Sequence, residues 1–224
     1  MKYILTAGWE DGVAALTERL ARELAGGRRV LWLTSGGSNI PASVQVIDNI
    51  SPALRQKLSI MLADERYGGP GHAQSNWAQL MKAGFDAKRA ELLPVLKTGL
   101  NFEQTVAHYQ QLAKKAFDNN DVVIAQLGIG DNGHIAGILP NSPAVEETPA
   151  LAVGYQSTPF LRLTLSFTAL RRVNAAYTFA FGNTKHRALT SLEAEQLPLN
   201  RQPAQILKQL PEAYLYSDQI GDHS

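Results

Sequence analysis

The chain has 224 residues, 45% of them hydrophobic, with a formal net charge of +1 and no cysteine. Such a length supplies a sizeable buried core, and a near-neutral balance without runs of like charge lacks the electrostatic footprint of a nucleic-acid or membrane-surface binder. The missing cysteines exclude disulfides, thiolate nucleophiles and thiolate metal sites, and no segment reaches the roughly 18 uninterrupted apolar residues of a membrane span. The expectation is a single domain over residues 1–224, soluble and cytoplasmic, monomeric or homodimeric, with a small molecule as partner and neither nucleic acid nor membrane.

A short strand is predicted over residues 3–6, followed by a helix over 11–24 whose apolar residues recur at helical spacing and which closes on Gly26 and Gly27. Residues 29–34 (RVLWLT) read as a strand that empties into Ser35, Gly36, Gly37 and Ser38. Pro41 then sits near the start of a helix reaching about Ile50, where its missing N–H costs nothing. The next strand, 57–62, ends at Asp64, Glu65 and Arg66, and a glycine-rich loop (YGGPGHAQ) leads to a helix over 75–82. After an amphipathic helix over 102–117, residues 121–127 (DVVIAQL) form an apolar, β-branched run of buried parallel-strand type. The following turn, GIGDNGH, is read as delivering His134 onto a helix start. Strands at LRLTLS (161–166) and YTFAFG (177–182) alternate with helices over 185–192 and 203–210, before a last strand at 213–216. This alternation predicts an α/β fold of three αβα layers, a mostly parallel Rossmann-like sheet with helices on both faces.

Three strand ends thus present polar loops at like positions, and ligands of open α/β sheets collect beyond such carboxyl ends. The SGGS turn offers backbone amides at a helix start and two hydroxyls, which suits a phosphate or another oxyanion. Asp64, Glu65 and Arg66 suit sugar hydroxyls or a reacting carbonyl, or form an ordinary solvated charge cluster. Arg162 and Lys185 are candidate phosphate partners. His72, His108, His186 and His223 have no ligand spacing such as HExxH, so no metal and no other cofactor is expected.

Five ordered blocks, TSGGSNIP, LADERYGGPGHAQSN, GIGDNGHIAGILP, LRLTLSFTAL and FGNTKHRAL, resemble the family of 6-phosphogluconolactonases and glucosamine-6-phosphate deaminases over nearly the whole chain. The deaminase branch has a tyrosine after the aspartate–glutamate pair and an acid five positions after the motif histidine; Arg66 and Leu139 stand there, as in the lactonase branch. The resemblance implies hydrolysis of 6-phospho-D-glucono-1,5-lactone in the oxidative pentose phosphate pathway, with water as the only co-substrate. It implies His134 as the general base, Ser38, neighbouring amides, Arg162 and Lys185 on the phosphate, and Arg66 toward the oxyanion or the sugar hydroxyls.

One position departs from the family pattern. The pattern GxGxDGH has an aspartate two residues before the histidine, where this chain has Asn132, with Asp131 one place earlier. Three readings follow: Asp131 takes the role after a small backbone shift, Asn132 suffices, or the substrate has changed. The rivals to lactonase chemistry are an amino-sugar-phosphate deaminase or isomerase, with Asp64 moving the C2 proton, and a non-catalytic sugar-phosphate binder.

Overall fold

The computed structural model of the chain describes residues 1–221, so His223 lies outside the described residues. Its strands are β1 (Lys2–Leu5), β2 (Val30–Thr34), β3 (Leu58–Leu62), β4 (Asp64–Arg66), β5 (Glu91–Leu93), β6 (Val122–Leu127), β7 (Ala152–Ser157), β8 (Phe160–Leu165), β9 (Ala175–Phe179) and β10 (Glu212–Ser217). Its α-helices are α1 (Glu10–Ala25), α2 (Ile40–Asn49), α3 (Asn76–Lys82), α4 (Phe102–Asn119), α5 (Phe167–Leu170) and α6 (His186–Ala194). Among the described residues no helix is long and apolar enough to cross a membrane.

Seven strands form one parallel sheet of order β1-β10-β9-β6-β2-β3-β5. β2 shows why continuous apolar runs become its central strands. Val30 and Trp32 pack with Leu16 and Leu20 of α1 and Val46 and Ile47 of α2, whereas Leu31 and Leu33 pack with Tyr109, Ala113 and Phe117 of α4 and with Leu189 and Leu192 of α6. The pleat sends successive side chains to opposite faces, so a strand covered on both needs apolar residues throughout. Each such side chain taken fully out of water contributes about 1.5–3 kcal/mol. Local signals set the helix starts: Pro41 lies in the first turn of α2, and α4 opens with a capping box in which Gln104 N–H donates to Asn101 Oδ1 (2.9 Å) and Asn101 N–H to Gln104 Oε1 (3.0 Å).

The segment LRLTLS does not join the parallel sheet. As β8 it pairs antiparallel with β7 and with β4, forming a separate three-stranded sheet. Only residues 158 and 159 separate β7 from β8, and a link that short permits an antiparallel hairpin but no crossover to a parallel neighbour. DER is likewise a strand in its own right rather than the tail of β3. β5 and β7 are elements that periodicity did not reveal. Residues 203–209 wind as a 3-10 helix rather than an α-helix, and Lys185 ends a 3-10 turn (Asn183–Lys185) before α6.

From β2 the chain builds β3 and β5 on one side and then crosses to β6 on the other. The carboxyl ends of β2 and β6 therefore flank the switch point at which open α/β sheets bind ligands.

Candidate active site

A cleft of about 210 Å³ opens at this switch point. Ser35, Gly36, Gly37 and Ser38 beyond β2, Asp64 and Arg66 of β4, His134 beyond β6, Arg162 of β8 and Lys185 before α6 all line it. Asn39, Asn76 and Ala136 line it too and were not recognised from sequence. Asp131 and Asn132 do not: they face a neighbouring groove shared with Arg187 and Arg201.

Each part of the β2 turn has its own task. Buried Ser35 donates its hydroxyl to the Gln126 carbonyl (3.0 Å) and so ties the end of β2 to β6. Gly37, at φ +63°, opens the 3-10 turn, so the amides of Gly37 and Ser38 have no preceding turn to donate to and are available to an anion. Ser38 is exposed at the mouth.

His134 is not at a helix start. Ile135 bridges to Ile129 and Ile138, and Ala136 at φ +48° turns the chain back on itself, a conformation that an α-helix cannot continue. Gly130 donates its N–H to the His134 carbonyl (3.0 Å), and the imidazole lies so close over Gly130 that a Cβ there would overlap its Nδ1. This is why the turn carries glycine at that position.

Asn132 Oδ1 accepts the His134 backbone N–H (3.2 Å), which fixes the orientation of the amide, and lies 2.7 Å from His134 Nδ1. A carbonyl oxygen only accepts, so Nδ1 carries the ring proton and Nε2 keeps its lone pair. Of the three readings of this departure, Asn132 is therefore the residue that meets the histidine. Burial chiefly, then Arg162 and Lys185, with a smaller push from Arg66, lower the His134 pKa to about 4 against the opposing pull of Asp131.

Arg66 and Arg162 stand directly opposite each other across the β4–β8 pair, with guanidinium carbons 5.7 and 5.8 Å from the Phe160 ring centre. Like charges at directly opposed positions are destabilising. The Nε atoms of both are buried without a hydrogen-bond partner, and neither side chain nor Lys185 forms an ion pair among the described residues. Arg66 Nη1 donates to Asn76 Oδ1 (2.6 Å) and to the Gln74 carbonyl (3.1 Å), whereas no side-chain donor of Arg162 has a partner among the described residues, and this partly desolvated guanidinium creates a demand for an anionic acceptor such as phosphate.

The two neighbouring acids differ in role. Burial raises the Asp64 pKa, opposed by Arg66, Arg162 and the Asn76 amide, and its carboxylate lines the cleft. Glu65 points away: it accepts the N–H groups of Arg66 (2.7 Å), Asn76 (2.7 Å) and Trp77 (3.0 Å) and the Ser75 hydroxyl (2.8 Å). It anchors the start of α3 beneath the cleft. Glu65→Ala is expected to lower unfolding free energy by about 2–4 kcal/mol, because it orphans several buried donors at once, and urea titration of both proteins checks this. Among the described residues no group of three or more histidine and carboxylate side chains is placed to hold a metal ion.

The model of the family described as glucosamine-6-phosphate isomerases/6-phosphogluconolactonase matches residues 8–215. A 6-phosphogluconolactonase from Synechocystis sp. is 24% identical over 226 residues, covering 96% of this chain and 92% of its own. The crystal structure of a 6-phosphogluconolactonase from Shewanella baltica OS155 superposes with a TM-score of 0.80 at 21% identity, covering 97% of both chains. A monomeric glucosamine-6-phosphate deaminase superposes with a TM-score of 0.75 at 20% identity, covering 98% of both, so the fold is common to the two chemistries. With its family model matched over nearly its whole length, the chain belongs to the glucosamine-6-phosphate isomerase/6-phosphogluconolactonase family.

Proposed function

We propose that the chain hydrolyses 6-phospho-D-glucono-1,5-lactone to 6-phosphogluconate. The observation that carries this reading is the setting of His134: a neutral imidazole with its Nδ1 proton engaged by Asn132 and its Nε2 lone pair free, in a cleft holding three cations that form no ion pair among the described residues. Nε2 takes a proton from water as the water oxygen attacks the lactone carbonyl. The attack forms a tetrahedral intermediate whose sugar hydroxyls, rather than its oxyanion, face Arg66, because Asp64 lines the same wall. When the intermediate collapses, the bond from the carbonyl carbon to the ring oxygen breaks and the imidazolium returns its proton to that oxygen. Arg162, Lys185 and the amides of Gly37 and Ser38 hold the phosphate, so that binding energy remote from the reacting carbon orients it. The relatives that bear the lactonase name support the substrate. The same reading places the enzyme in the oxidative pentose phosphate pathway and in the cytoplasm, with which the lack of cysteine agrees.

Deaminase chemistry has less support. Leu139, at the position of that branch's acid, is partly buried and packs against the core. The decisive experiment follows proton release from freshly generated lactone near neutral pH, with the uncatalysed rate subtracted. Rapid turnover is expected; phosphosugar binding without turnover would favour the non-catalytic binder, and release of ammonia from glucosamine 6-phosphate the deaminase.

The pH profile follows from the charge state of His134. The base works as the neutral form, so kcat/KM is expected to hold down to pH values near 4 and to fall below, as the imidazole takes up a proton. Asn132→Asp places a negative charge beside the ring and stabilises the imidazolium, which moves this acidic limb upward by about one to two pH units. An unmoved limb would show that another group titrates.

A further inference from the structure

We propose that Asn76 is a positioning residue that holds the Asp64 carboxylate and the Arg66 guanidinium apart as an acceptor–donor pair for a ring hydroxyl of the bound sugar; this rests on the sugar-lactone reading above. Asp64 and Arg66 are two residues apart on β4, on the same face of the strand. They form no ion pair among the described residues, and the buried Asn76 side chain is hydrogen-bonded to both. Its Oδ1 accepts from Arg66 Nη1 (2.6 Å), while its Nδ2 donates to the Asp64 carbonyl (3.0 Å) and to Asp64 Oδ2 (3.2 Å). A guanidinium only donates and a carboxylate only accepts, so the amide has one possible orientation.

Both charged groups are left with capacity to spare. No hydrogen bond from the described residues reaches Asp64 Oδ1, and Arg66 Nε is buried without a partner. An anion at this wall would meet the Asp64 carboxylate, and a cation would meet Arg66 and Arg162. A neutral hydroxyl, which donates and accepts at once, satisfies both.

Helix capping does not account for the Asn76 side chain. Ser75 caps α3 by accepting from the Ala78 N–H (3.0 Å), and Glu65 takes the amides of Asn76 and Trp77. Gly36 on the facing turn has no Cβ, and one built there would overlap the Asn76 amide. The amide is thus wedged between the phosphate turn and the β4 wall.

The test compares 6-phosphogluconolactone with its analogues lacking the hydroxyl at C2, C3 or C4, each as the 6-phosphate. In the wild-type protein one of the three is expected to lose about 100-fold or more in kcat/KM, since a buried charged acceptor left unpaired is the penalty that makes hydroxyl readout selective. In Asn76→Ala, with folding checked by its melting curve, the parent lactone should fall by a similar factor while that one analogue changes little, so the preference collapses. A uniform loss on all four lactones, with the wild-type ratios preserved, would mean a purely structural role and would overturn the proposal. Equal wild-type rates on all four would overturn it without any variant. Failure of the wild type on every lactone, parent included, would overturn the lactonase reading and this inference with it.

Discussion

Replacing His134 by glutamine should lower kcat by about 10²- to 10⁴-fold while leaving KM near its wild-type value. Glutamine keeps a polar side chain of similar reach above Gly130 but has no lone pair basic enough to accept a proton from water at neutral pH. The phosphate contacts assigned to Arg162, Lys185 and the β2 turn do not involve this side chain, so binding should persist as turnover disappears. The readout is acid release under pH-stat control with the spontaneous rate subtracted, together with equilibrium binding of 6-phosphogluconate. A variant retaining wild-type kcat would transfer the base to Asp64, the single carboxylate among the residues lining the cleft.

Arg162→Gln should cost about 100- to 1,000-fold in kcat/KM, expressed mainly through KM, because it removes a partly desolvated charge from the phosphate. Stability should move the other way. The Arg162 side chain makes no hydrogen bond and no ion pair among the described residues, and it faces Arg66 directly across the β4–β8 pair. Removing it orphans nothing and relieves a like-charge opposition, so the melting temperature should be unchanged or slightly raised. The two measurements together separate binding from folding: activity lost in step with stability would mean that Arg162 holds the small sheet rather than a ligand. The preference for phosphorylated over unphosphorylated lactone should shrink in the variant by the same factor as kcat/KM.

Much of the site could be read from the chain because its parts are local. SGGS, DER and GIGDNGH each follow an apolar run that period and composition identify as a strand, and parallel strands flanking a switch point bring their carboxyl ends together. Helix starts near Pro41 and Ser75 were legible for the same reason, since start signals act within one turn of their own helix. Asn76 falls in the first turn of the helix predicted over 75–82, and nothing there marked it as a site residue, because its contacts with the distant Asp64 and Arg66 leave no periodic trace.

Hydrophobic period records which faces meet water, so a mostly parallel sheet with two covering layers and a set of polar strand ends were legible in the chain. Tertiary structure decided that LRLTLS turns back into an antiparallel sheet and sets Arg162 opposite Arg66. It decided that the segment after Gly133 folds into a reversing turn rather than a helix, and that Asn132 rather than Asp131 reaches His134. It also placed the Asn76 amide in hydrogen-bond contact with both Asp64 and Arg66. These outcomes depend on register between strands far apart in the chain and on side chains packed over glycines, where a shift of one residue exchanges one face for the other.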